Sequence, residues 1–176
     1  VDFVICNTDA QALEASPVPI KIQLGASLTE GLGAGSNPEV GRKAAEESAD
    51  RITELLDANT KMLFLTAGMG GGTGTGAAPV IAEIAREKGI LTVGVVTNPF
   101  STEGGYRKQY AEDGLAELKK YVDTLLIINN DKLIEVYGDL TFTQAFGKAN
   151  EVLNTATKGI AEVISQHLLV NIDLND

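Results

Sequence analysis

The segment that most constrains this chain runs from the apolar stretch Phe64-Leu-Thr66 through Ala67-Gly-Met-Gly-Gly-Gly-Thr-Gly-Thr-Gly76 into Ala77-Ala-Pro-Val80. It reads as strand, glycine loop, helix. Six glycines in nine positions, Gly68 to Gly76, allow positive φ and close backbone approach. A helix opening at Ala77 would aim unpaired N–H groups and the positive end of its dipole at an anion. Gly70, Gly71, Gly72 and Gly74 supply the backbone, and Thr73 and Thr75 can add hydroxyl donors. The run lacks the Gly-Lys-Ser/Thr ending of a P-loop, and no such ending occurs elsewhere. Gly72, Gly74 and Ala77 satisfy a loose dinucleotide fingerprint, but the next strand ends Val96-Thr97-Asn98, with no carboxylate for a ribose. Hydride transfer is therefore disfavoured.

Apolar β-branched runs recur at Asp2 to Cys6, Ile20 to Leu24, Lys61 to Thr66, Ile90 to Val96 and Val122 to Ile128. Three of them are near-continuous hydrophobic blocks without strict alternation, which suits parallel strands covered on both faces. Helical patterns lie at Pro38 to Leu56, Ala77 to Lys88, Gly105 to Lys119 and about Thr143 to Gln166, with Pro79 near the first turn of the second and Gly89 stopping it. Alternating βα units predict an α/β, three-layer, mostly parallel, Rossmann-like sheet. Ligands of such sheets sit beyond the carboxyl ends of the strands, which directs attention to the loops after Asn7, Thr66, Val96 and Ile128.

The chain has 176 residues, 44% hydrophobic, which is the size of one domain with a core. Its net charge of −10 would repel nucleic acid and anionic lipid, so no nucleic-acid partner is expected and a bound phosphate must rely largely on backbone amides and helix ends. The single cysteine, Cys6, fits a reducing compartment. No stretch is apolar or long enough to cross a bilayer or to act as a secretory signal, so the expected location is cytoplasmic, without direct membrane insertion. The chain starts inside an apparent strand without an initiator methionine and stops within a polar motif, which reads as a fragment.

The segment Ala67 to Pro79 resembles the phosphate loop of the FtsZ family, the tubulin-like GTPases of bacterial division. The resemblance extends through Asn7-Thr-Asp-Ala-Gln-Ala-Leu13, Gly31-Leu-Gly-Ala-Gly-Ser-Asn-Pro-Glu-Val-Gly41, Val95-Val-Thr-Asn-Pro-Phe100, Asn130-Asp-Lys-Leu133 and Asn171-Ile-Asp-Leu-Asn-Asp176, in the family's order. It implies the tubulin/FtsZ GTPase fold with GTP or GDP across the carboxyl edge of the sheet. It also implies that residues 1–176 form an incomplete GTP-binding domain. The family's first strand and a second glycine loop would lie before Val1, and its second domain beyond Asp176. Relatives such as plasmid-partition filament proteins match the quoted loops less closely, and a non-hydrolysing structural homologue is a further alternative.

Site roles follow from the resemblance one residue at a time. Asn7 and Asp9 match nucleotide-binding positions in the loop after the first apparent strand, and the backbone at Ala34, Gly35 and Ser36 would approach the γ-phosphate, with serine where the family usually has alanine. A helix lead-in capped by Asn37 or Ser36 at Pro38 is compatible with that role. Thr97, Pro99, Glu103 and Arg107 match positions holding the ribose and neighbouring phosphates, although Glu103 and Arg107 would also suit a plain i,i+4 pair. Asn130 and Asn150 would edge the guanine and Phe146 would cover its face, as a base needing polar partners and a flat apolar surface requires. Departures from the family are Thr102 for an aromatic residue, Asn129 for a proline, and one residue fewer between Tyr137 and Leu140.

The polar loop Asn171 to Asp176 would say little alone, since such loops usually make turns. By resemblance, Asn171, Asp173 and Asp176 enter the nucleotide pocket of the next subunit and orient the attacking water, so that hydrolysis follows head-to-tail filament contact. Mg2+ is implied mainly on the phosphates, since no lysine is placed to neutralise them. No protein metal cluster is visible, and His167 reads as a helix-end residue. Division-machinery proteins would bind parts outside this segment, and the place of action would be the division site.

Overall fold

Strand hydrogen bonding and helix cover divide the chain as its apolar periodicity suggests. The computed structural model describes residues 2–138 and 140–175, the side chains of residue 142 and of 164–175 excepted. Five strands, β1 (Val4–Asn7), β2 (Ile20–Gln23), β3 (Met62–Gly68), β4 (Leu91–Asn98) and β5 (Thr124–Asn129), pair only in parallel among the described residues. The helices are α1 (Ala10–Ala15), α2 (Ala26–Thr29), α3 (Pro38–Glu47), α4 (Ala49–Leu55), α5 (Thr73–Glu87), α6 (Gly105–Lys119), α7 (Asn130–Tyr137) and α8 (Phe142–Asn175), with a 3-10 turn at Ser101–Glu103.

Alternation along β4 shows how the layers form. Val96 packs with Ala78 and Ala82 of α5 and Ala111, Leu115 and Leu118 of α6. Val93 and Val95, pointing the other way, pack with Leu153 and Ile160 of α8 and with Phe64 and Ile128. Helices therefore cover both faces of β3–β4–β5, the three-layer arrangement expected. A second core joins Ile22 and Leu24 to Ala44 and Ala45 of α3, Ile52 of α4, and Ala77 and Ala85 of α5. Cys6 lies beside this core, and burial pushes its thiol up to about 11.

Four expectations change. Instead of one continuous sheet, β1–β2 and β3–β4–β5 are separate pieces, and a cavity of about 720 Å³ lies between β1 and β3. The helix expected over Pro38 to Leu56 breaks at Ser48, whose hydroxyl accepts from Gly25 N at 3.0 Å and is drawn to the end of β2. Helix α5 starts at Thr73 rather than Ala77, so Pro79 stands well inside it. Helix α8 runs on through Asn175, giving helical backbone over 171–175 of the expected loop, of which Asp176 lies outside the described residues; no glycine or proline follows Gly159 to stop it.

The early start of α5 depends on glycine. A Cβ on Gly76 would lie 2.0 Å from the Pro38 carbonyl oxygen, and one on Gly41 2.2 Å from the Gly72 carbonyl oxygen. Helices α3 and α5 thus cross backbone against backbone at their N-terminal turns. Gly159, on α8, has nothing within 4 Å of a built Cβ. Alanine normally favours a helix over glycine by about 0.5–1 kcal/mol. Gly159→Ala is therefore expected to stabilise the chain, whereas Gly76→Ala is expected to destabilise it by about 1–3 kcal/mol or more through overpacking. Urea unfolding of both variants checks this, and a stabilised Gly76→Ala would disprove the close crossing.

Candidate functional site

Two helix starts and one arginine define the site. Asn37 caps α3, its side chain accepting from Glu39 N at 3.0 Å, with Pro38 at the first helical position. Gly72 precedes α5 and has no side chain to cap it, so the first N–H groups of α5 are left for a ligand. The crossing at Gly41, Gly72 and Gly76 sets these N-termini side by side, and a Cβ on Gly72 would lie 2.8 Å from both Ala34 Cβ and Asn37 N. Adjacent positive helix ends repel each other unless an anion lies between them.

The loop leading into α3 is wound through left-handed conformations, with φ of 77° at Gly31, 88° at Gly33, 59° at Gly35 and 60° at Ser36. It brings Ala34, Gly35 and Ser36 beside the glycine run. In that run only Gly70 has positive φ, at 105°; the other glycines serve close approach, as at Gly74, where a Cβ would be 2.4 Å from Gly68 O. Thr75 does not face the cradle. It is buried, and its hydroxyl accepts from Gly70 N at 2.8 Å, pinning the turn.

Arg107, on the first turns of α6, donates to Ser36 Oγ at 3.3 Å, and its Nη1 lies 3.7 Å from a Cβ position on Gly71. A cation therefore sits over the junction of the two loops. Arg42 on α3 is engaged by Glu39 and Glu46, and its hydrogen bond holds the Glu39 carboxyl below the usual range. Glu103 forms no ion pair with Arg107 among the described contacts; it accepts from Phe100 N at 2.7 Å and closes the 3-10 turn. The plain i,i+4 explanation for that pair thus falls away. Pro99 and the Arg107 carbonyl both lie about 3.1 Å from a Cβ position on Gly70, and buried Thr97 O accepts from Met69 N at 2.9 Å.

Asn7 accepts from Asp9 N, and Asp9 in turn accepts from Gln11 N and Ala12 N to cap α1. Both belong to the turn beside the cradle, where Asp9 bridges to Leu32, but the Asp9 carboxylate is engaged in capping. Thr8, which sequence reasoning passed over between them, is fully buried and its Oγ1 lies 2.6 Å from Thr73 Oγ1. A near-continuous apolar strand running into a small hydroxyl residue at its carboxyl end was the available signal.

A small apolar core forms where α7 and α8 meet the 3-10 turn, through Phe100, Leu133, Ala145 and Ala149. Asn129 caps α7 by accepting from Asp131 N, which accounts for an asparagine at that position. Asn130, 4% exposed, has its Oδ1 buried and without a hydrogen-bond partner. Phe146 meets Phe100 edge to face, centroids 5.2 Å apart, and remains 36% exposed; Asn150 follows one turn later on α8, also exposed. Asn130, Phe146 and Asn150 thus stand on two adjoining helices, α7 and α8. Of the remaining expected residues, Asp176 and the side chains of Asn171 and Asp173 lie outside the described residues.

Comparison with known proteins decides the family. The family model described as Tubulin/FtsZ family, GTPase domain, matches residues 1–138. The chain belongs to this family. It is 55% identical over 177 residues to the cell division protein FtsZ of Wigglesworthia glossinidia brevipalpis and equally to that of Coxiella burnetii, covering 100% of this chain and 46% of each relative. It therefore spans about half the length of the curated relatives it matches. Among solved structures it resembles an empty FtsZ dimer from M. jannaschii, with 49% identity, TM-score 0.88, and 90% of this chain and 46% of that one covered. It also resembles CetZ2 from Haloferax volcanii as a GTPγS-bound protofilament, with 25% identity, TM-score 0.81, and 91% and 49% covered. The fold expected from resemblance is thus the fold found, as an α/β tubulin/FtsZ GTPase domain with parallel strands.

A buried carbonyl oxygen without a partner costs about 1–3 kcal/mol. In the nucleotide-free protein, Asn130→Ala is therefore expected to leave the urea midpoint unchanged or raised. A clear fall would mean that Asn130 is already satisfied and is not held ready for a ligand.

Proposed function

We propose that this chain is the nucleotide-binding part of a GTP-hydrolysing, filament-forming protein of bacterial division. The convergence of the α3 and α5 N-termini with Arg107 around the glycine run carries this reading. Backbone donors there suit the charged oxygens of a triphosphate. Asn130 Oδ1 would accept from the guanine edge, Phe146 would cover the base and Asn150 would complete its rim. Thr97, Pro99 and Glu103 shape the wall between base and phosphates.

Bound Mg2+ would neutralise charge on the phosphates. Among the described residues no group of three or more His, Cys, Asp or Glu could hold a metal. Arg107 adds the charge the chain itself supplies. The proposed site of action is the cytoplasm at the division plane, as the cell-division relatives suggest. No described helix is long and apolar enough to cross a membrane. Relatives that form dimers and protofilaments support head-to-tail assembly with a second copy. In such a filament Asn171, Asp173 and Asp176 would enter the neighbour's pocket and orient water for attack on the γ-phosphate.

The cavity between β1 and β3 fits a further parallel strand. It is lined by Val4, Ile5 and Cys6 on one side and residues 62–67 on the other, facing strand edges without strand partners among the described residues. A strand there would merge the two sheet pieces and bring its following loop to the phosphate end, near Thr73 and Gly74.

Titration with GTP and ATP, using the protein that carries this chain, tests the base reading: GTP is expected to bind much more tightly, and an ATP preference would overturn it. In the same protein, Asp173→Ala is expected to leave GTP binding near normal and abolish turnover. Turnover at the unmodified rate would remove Asp173 from the mechanism.

A further inference from the structure

Thr8 stands at the meeting point of the two cradle loops and is absorbed by neither the base pocket nor the hydrolytic residues. Its side chain is fully buried. Its carbonyl oxygen accepts from Gly33 N at 3.3 Å, tying down the loop that leads to Ala34–Ser36. Its hydroxyl lies 2.6 Å from that of Thr73, the first residue of α5. One residue thus fixes both loops, and its side chain links β1 to the far side of the cavity.

We propose that Thr8 is a positioning residue for the phosphate cradle, donating its hydroxyl proton to Thr73 Oγ1 so that the Thr73 proton is turned toward the bound anion. The inference rests on the nucleotide reading above. Each hydroxyl has one proton and can accept through its lone pairs. If Thr73 donated to Thr8, it would present only lone pairs to the phosphate, and the buried Thr8 proton would have no described acceptor. The reverse direction satisfies both groups and ends in a charge-assisted bond, the stronger kind. Thr73, half-buried, is placed to reach outward, whereas Thr8 has no route to solvent.

Thr8→Val keeps the side-chain shape and removes the proton. It is expected to weaken GTP binding by roughly two- to tenfold, the effect of losing one neutral hydrogen bond, because Thr73 keeps its proton and loses only the partner that orients it. Thr8→Ser should restore most of the affinity. In a Thr73→Val background, Thr8→Val should cause no further loss, because the relay already lacks its outer member. Thr8→Ala gives the same comparison should the valine variant not fold. Equal losses for serine and valine, an undiminished valine effect in the Thr73→Val background, or wild-type affinity in Thr8→Val would each overturn the proposal while leaving the nucleotide reading intact. Failure of the unmodified protein to bind GTP would overturn both.

Discussion

The backbone crossing of α3 and α5 is the constraint on which the rest of the site depends. Gly41, Gly72 and Gly76 let carbonyl groups approach where any side chain would collide. That contact sets two helix N-termini together, and like partial charges so close are unfavourable without a counter-charge. The same glycines therefore create an electrostatic cost that a phosphate can offset. Apolar packing of Ala44, Ala45 and Ala77 around the crossing holds it in place. Burial of these small residues keeps the helices near enough for the loops at their starts to share one ligand.

Charge distribution makes sense in this light. The chain is strongly acidic overall, yet the cradle presents N–H groups and the Arg107 guanidinium, while Arg42 is engaged by two glutamates along α3. A net negative surface does not prevent phosphate binding when the local field comes from oriented backbone groups. Arg107 reaches Ser36, a residue held at a φ of 60°. The serine hydroxyl gives that arginine a partner before any ligand arrives.

Much of the fold was legible because apolar, β-branched runs mark the ends of the five strands to within two residues, and near-continuous hydrophobic blocks signalled cover on both faces. Less legible were features decided by tertiary contact. The break at Ser48 comes from its hydrogen bond to the end of β2, and the early start of α5 comes from glycines that look like loop residues until α3 is packed against them. Short helices α1 and α7 carry too few turns for periodicity to register. In the site, backbone-cradle residues could be read from glycine spacing, and Asn130, Phe146 and Asn150 only through resemblance, since each alone would pass as a cap or core residue. Thr8 was missed because its role lies in a contact spanning 65 positions. Thr75 was taken for a donor to the ligand and instead holds Gly70 N.

The central claim is that two converging helix starts hold a guanosine triphosphate by its phosphates. A crystal structure of the protein carrying this chain with a non-hydrolysable GTP analogue tests it most directly. The terminal phosphate is expected within hydrogen-bond distance of backbone N–H groups in both the Ala34–Ser36 and Gly71–Thr73 segments, with the base against Phe146. A nucleotide bound with its phosphates away from the N-termini of α3 and α5 would contradict the account.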